Sequence, residues 1–108
     1  MIEVVVYETE AGKRPFAAWF AALNAPAALK VRTGVARMSH ENFSNVTSVG
    51  QGVREYKINF GPGYRIYFAM DGETLVVLLG GGTKKRQSRD IENAQVAWTT
   101  YKRRKKRN

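Results

Sequence analysis

Two turn signals inside one apolar stretch constrain this chain more than any other feature. Gly61-Pro62-Gly63 and Asp71-Gly72 cut residues 53 to 79 into three runs rich in β-branched and aromatic residues: Val53 to Phe60, Tyr64 to Met70, and Thr74 to Leu79. Asp-Gly readily takes the positive-φ conformation that a tight hairpin requires, so the spacing predicts an antiparallel meander of three strands. A further β-branched run, Ile2 to Tyr7, predicts an N-terminal strand that Glu8 to Gly12 breaks.

Between these β segments the period changes. Pro15 suits a first helical turn, and Phe16, Trp19, Phe20 and Leu23 fall at i, i+3, i+4 and i+7. Asn24 and Pro26 punctuate, then Ala28, Val31, Val35 and Met38 repeat at helical spacing, predicting a helical hairpin despite Gly34. His40 falls where the second helix should end, with helix C-terminus interaction as its expected role. Residues 40 to 52 are polar and read as a loop anchored by Phe43, Val46 and Val49. After Gly80-Gly81-Gly82 the chain should turn into a last helix over Ser88 to Lys102, with Ile91, Ala94, Gln95, Trp98 and Tyr101 on one face. The class is α+β, one domain over residues 1–101 and a basic tail over residues 102–108.

Composition narrows the chemistry. The chain has no Cys and a single His, which excludes disulfides, thiolate metal sites and multi-His clusters. No metal and no cofactor is expected. There is neither a long apolar run nor a positively charged leader, so the expected location is the cytoplasm, without a membrane partner. The net charge of +9 is uneven: residues 1 to 83 hold eight Lys or Arg against seven acids, and residues 84 to 108 hold ten against two. Such a surface attracts phosphates by Coulomb force and counterion release, which makes nucleic acid the leading partner. The run Lys102 to Arg107 also fits a disordered, solubilising tail.

Strand alternation puts Arg54, Tyr56, Ile58 and Phe60 on one face and Glu55 and Lys57 on the other, and it pairs Arg65 with Tyr67 opposite Tyr64, Ile66 and Phe68. The apolar sets must face the helices. Glu55, Lys57, Arg65 and Tyr67 are therefore expected to cluster on an uncovered sheet face. Cations there would hold a phosphate, an aromatic would stack a base, and a carboxylate would move a proton. On pattern alone, a solvated face with cross-strand ion pairs is the commoner outcome. Lys84, Lys85 and Arg86 should arrive at the end of the sheet behind three glycines that allow close approach, though not as a Walker loop.

From Gly50 to Ala94 the residues resemble the core of the RelE/ParE superfamily of type II toxin-antitoxin toxins, in particular the HigB-like addiction module killer proteins. The matching features are V-R-E-x-[KR]-I from Val53, the GPGYRIYF turn and strand, LLGGG followed by Lys84, and Q-x-x-D-I entering the last helix. The resemblance implies a toxin neutralised by a cognate antitoxin, of helix-turn-helix type. It further implies cleavage of mRNA on the ribosome without metal, the RNA 2′-hydroxyl attacking the adjacent phosphate.

Carried over by position, the catalytic candidates are Lys57, Arg65 and Lys84; the strand pattern adds Tyr67 and Glu55 as proton-transfer candidates, and Arg54, Lys85, Arg86, Gln87 and Arg89 are the RNA-binding candidates. The chain departs from the pattern in having Tyr56 where Leu is common, Lys57 where Arg is common, and no Tyr soon after Lys84. Tyr67 or Tyr101 would have to take that tyrosine's place. Neither Lys nor Tyr acts as a base at neutral pH unless its neighbours lower its pKa, and Glu55 is the competing base. Two other activities stay open: a ParE-like inhibitor of DNA gyrase, and a non-catalytic nucleic-acid-binding module.

Overall fold

The computed structural model describes residues 1 to 107. Strand β1 (Glu3–Val6) leads into helices α1 (Pro15–Ala21) and α2 (Ala25–Ser39). Strands β2 (Val46–Ser48), β3 (Arg54–Ile58), β4 (Tyr64–Asp71) and β5 (Leu75–Thr83) follow, and a 3-10 turn over Lys84–Arg86 opens into α3 (Gln87–Arg107). The sheet is five-stranded and mixed, in the order β1-β5-β4-β3-β2, with β1 parallel to β5 and every other pair antiparallel.

The meander over β3, β4 and β5 forms where the turn residues place it. Asn24 caps α2 by accepting from the Ala27 amide at 2.9 Å, and Pro26 occupies the first helical turn. His40 closes α2 through its backbone N–H, which reaches the carbonyls of Ala36 and Arg37. The buried stripe of α2 is Ala27, Val31, Gly34 and Met38; Ala28 and Val35 sit at its margin.

Four departures from the sequence reading share a cause in tertiary pairing. A short strand, β2, forms inside the expected loop because Val46 comes opposite Tyr56, and three residues are too few to show a period. β1 docks beside β5, making the sheet mixed. α3 runs on to Arg107 rather than stopping at Lys102. The fourth departure matters most: the sheet has no uncovered face.

α1 and α2 cover one side, where Phe16, Val31 and Met38 meet Tyr56, Ile66, Phe68, Val76 and Leu78. α3 covers the other, where Ala94, Ala97 and Trp98 meet Val53, Tyr67, Ala69, Val77 and Leu79. β4 is consequently buried at six successive residues, Tyr64 to Ala69, and Glu55, Arg65 and Tyr67 lie beneath α3 instead of facing water.

β5 also runs through the three glycines to Thr83. A β-bulge lets Tyr67 pair with Gly80 while Phe68 pairs with Leu78, so Leu79 is the extra residue and the facing of the strand shifts by one. Gly81 then lies under the Trp19 indole and Gly82 under the Asp90 carboxylate, each occupying the space a Cβ would need. The close approach that glycine allows here is taken up by the protein's own helices.

The basic end of α3 is tied down. Tyr101 donates to Asp71 at 2.7 Å, Lys105 donates to both Asp71 oxygens at 2.6 and 2.7 Å, and Arg104 donates to the Glu8 carbonyl at 2.8 Å. The exposed Lys105 and Arg104 contacts contribute roughly 0.2–1 kcal/mol each, so burial of Trp98 and its neighbours holds the helix and the clasp sets its end. The Lys105 and Tyr101 hydrogen bonds hold the Asp71 carboxyl below its ordinary range, and burial with Asp71 pushes the Tyr101 hydroxyl up to about 12.

Two stability predictions follow from this packing. Gly81→Ala should lower the unfolding free energy in urea by about 1–3 kcal/mol. Gly80→Ala, with open space beyond it, should stay within about 0.5 kcal/mol; equal effects would show that Trp19 does not seat on Gly81. Because the folded pKa of Asp71 is depressed, its contribution is present above the unfolded value of about 3.9 and is lost as the pH falls through the folded value. The Tm gap between the wild type and Asp71→Asn should therefore hold near neutral pH and close below about pH 4; a gap that persists in acid would refute the clasp.

Candidate functional site

Register places the sequence candidates in two adjacent rows across the sheet. Lys57 lies opposite Arg65 and Arg65 opposite Gly82; Glu55 lies opposite Tyr67 and Tyr67 opposite Gly80. The grouping expected from alternation therefore forms, but it divides by depth. Arg65, Glu55 and Tyr67 are 3%, 5% and 0% exposed, whereas Lys57 is exposed.

The buried members hold one another. Arg65 Nη1 donates to the Gly63 carbonyl at 2.6 Å, and its Nε lies 3.8 Å from Glu55 Oε2, close enough for charge attraction but not for a hydrogen bond. Gln87, the first residue of α3, donates to the same Glu55 oxygen at 2.8 Å. The Lys84 amide donates to the Gly63 carbonyl at 3.1 Å. Arg65 and Glu55 thus fasten the 3-10 turn and the start of α3 to the sheet. A buried pair of this kind tolerates the loss of one partner poorly, because the other charge is left without compensation.

The Tyr67 hydroxyl is buried near the Glu55 carboxylate, without a hydrogen bond of good geometry to it or to any other described residue. Burial, followed by the Glu55 carboxylate, pushes its pKa well above the usual phenol value, and the opposing pull of Arg65 is smaller. Tyr67 stays protonated at neutral pH, the reverse of what a general base needs. Asp90, seated on Gly82, has its carboxyl raised by burial, with Arg86 and Arg89 acting the other way.

The exposed members form a separate surface. Lys84, Lys85, Arg86, Gln87, Ser88 and Arg89 line a shallow concavity of about 410 Å³ at the start of α3. Among the described residues, Lys57, Lys84, Lys85, Arg86 and Arg89 make no ion pair within 4.0 Å, and neither does Arg54 at the start of β3. The turn leads into a long helix whose N-terminal amides and dipole favour an anion. In this arrangement the exposed cations can bind and neutralise phosphate, while the carboxylate and phenol that could exchange protons are covered. Among the described residues no grouping of His, Cys, Asp and Glu could hold a metal ion, and no helix is long and apolar enough to cross a membrane.

Sequence reasoning did not find Asp90 as a partner of Gly82 or Asp71 as the anchor of Tyr101 and Lys105. The Asp of Q-x-x-D-I was a usable signal for the first. No sequence signal links residues 71 and 105.

The fold and this surface together define an α+β protein with helices on both faces of a mixed sheet and a band of unpaired cations at one sheet end. No family model matches the chain. A protein of Haemophilus influenzae, described as uncharacterized, is 37% identical over 82 residues, which cover 75% of this chain and 83% of that protein. The chain belongs to the same family as that protein.

Tyr67→Phe should leave Tm unchanged or raise it, since it removes a buried hydroxyl that bonds to nothing. Arg65→Ala should cost about 3–5 kcal/mol in chemical denaturation, as expected for breaking a buried pair. A marked loss of stability in Tyr67→Phe, or none in Arg65→Ala, would refute this division of roles.

Proposed function

We propose that the protein is the toxin of a type II toxin-antitoxin system, a RelE/ParE-like domain acting in the cytoplasm on mRNA at the ribosome and neutralised by a cognate helix-turn-helix antitoxin. The observation that carries this reading is the set of unpaired cations at the start of α3, Lys84, Lys85, Arg86 and Arg89, with Lys57 two strand spacings, or about 10 Å, from the strand that leads into them. In the cleavage step the RNA 2′-oxygen bonds to the adjacent phosphorus, the bond to the 5′-oxygen breaks, and the leaving oxygen takes a proton from water, giving a 2′,3′-cyclic phosphate and a 5′-hydroxyl. Lys57 and Lys84 offset the charge that develops on the phosphate oxygens. Arg65 acts from below the surface by positioning the Lys84 turn, with no direct hold on the substrate. The 2′-hydroxyl proton needs an acceptor; Glu55 fills this role only if the start of α3 lifts away from it.

The burial of Glu55, Arg65 and Tyr67 favours a second reading, a ParE-like toxin that inhibits DNA gyrase by binding and needs no proton acceptor. Induced expression separates the two. Growth arrest with ribosome-dependent mRNA cuts, both abolished by Lys84→Ala/Lys85→Ala, is the expected outcome. Growth arrest with double-strand DNA breaks and intact mRNA would overturn the nuclease reading in favour of the second. Lys84 and Lys85 are better probes than Arg65, because their removal does not open the buried pair.

A further inference from the structure

A second concentration of unpaired positive charge lies away from the Lys84–Arg89 turn. A groove of about 280 Å³ runs between α2 and β3, with Lys30, Thr33 and Arg37 on the helix side and Asn45, Lys57 and Asn59 on the strand side. Lys30, Thr33 and Arg37 fall at i, i+3 and i+7, on one face of α2, so the two helix cations stand about 10 Å apart along the axis. All three cations are exposed, and among the described residues none makes an ion pair within 4.0 Å. No acidic residue lines the groove. The Lys30 ammonium rests 5.3 Å from the centre of the Phe60 ring, which steadies it without cancelling its charge.

We propose that this groove is a second phosphate-binding track for single-stranded RNA, continuing past Lys57 from the Lys84–Arg89 turn. The proposal rests on the reading of the protein as one that acts on RNA. Three features carry it.

The charge is of one sign and uncommitted, which is the footprint of a polyanion partner. Thr33, Asn45 and Asn59 add hydroxyl and amide groups suited to ribose and phosphate oxygens, and Leu29, Tyr56 and Ile58 add an apolar wall on which a base can rest. An acidic peptide would compete for the same cations, and polyglutamate tests for that occupant. Continuity comes through Lys57, which lines the groove and lies in the same sheet row as Arg65 and Gly82, two strand spacings or about 10 Å from the strand that leads into Lys84.

The test is equilibrium binding of the full chain to a fluorescent, unstructured oligouridylate of about 12 nucleotides, long enough to span both surfaces. Binding is followed by anisotropy across a salt series. Lys30→Ala/Arg37→Ala should reduce the slope of log Kd against log salt by about 1.4, the value for two lost single-strand phosphate contacts. That corresponds to affinity about 25-fold weaker at 0.1 M salt. The charge-conserving Lys30→Arg/Arg37→Lys should bind like the wild type, and far-UV circular dichroism should give all variants one fold.

An unchanged slope in Lys30→Ala/Arg37→Ala, while Lys84→Ala/Lys85→Ala weakens binding, would overturn the groove and leave the proposed function standing. The converse result supports the groove and removes the cation band as the basis of that function. Failure of the wild type to bind the oligouridylate overturns the groove, while the ribosome-dependent reading stands or falls with the induced-expression test. Polyglutamate that binds the wild type and is lost in Lys30→Ala/Arg37→Ala, with oligouridylate affinity unaltered, would overturn the assignment to RNA and point to a protein partner.

Discussion

The close contact of two helices with the glycine segment of β5 governs how everything else is arranged. Gly81 receives the Trp19 ring from one side and Gly82 receives Asp90 from the other, so the strand is pinched between α1 and α3 at its last turn before the basic residues begin. The bulge at Leu79 sets which glycine faces which helix. Larger side chains here would push one helix off the sheet. The direction in which Lys84 to Arg89 leave the sheet is therefore set by backbone packing, with the charges themselves having little say.

Once α3 lies on the sheet, the ionisable side chains of the meander divide into two sets with different physics. Glu55, Arg65 and Tyr67 are taken out of water, where charges must find partners, and they become fasteners between the sheet and the start of α3. Lys57, Lys84, Lys85, Arg86 and Arg89 stay in water and keep their charge available. A deep Arg-Glu pair that seats a basic turn links the two sets mechanically. The catalytic vocabulary of the motifs and the accessible chemistry of the fold are thus different sets of residues.

The basic C-terminal run also divides. Arg104, Lys105 and Arg107 are used in contacts with the loop after β1 and with the β4–β5 turn, through the Glu8 carbonyl, Asp71 and Glu10. Lys102 lies over the Trp98 ring. Charge counted along the chain therefore overstates how much of it this segment can offer a partner, and the cations of α2 and of the turn before α3 gain weight.

Much of the fold was legible in local sequence. Asp71-Gly72 and Gly61-Pro62-Gly63 marked the hairpins, Asn24 and Pro26 marked the start of α2, and alternation grouped Glu55, Lys57, Arg65 and Tyr67 correctly on one face. These signals are local because turn conformation, helix capping and strand facing depend on residues a few positions apart.

Local signals along the chain set the α+β class, the meander and which side chains of β3 and β4 share a sheet face. Tertiary structure alone decided that α3 covers that face, that β1 joins parallel to β5, that β2 pairs at the edge, and that three glycines form strand instead of an open loop. Those outcomes depend on contacts between residues tens of positions apart, such as Gly81 with Trp19 and Glu55 with Gln87, and no local period encodes them.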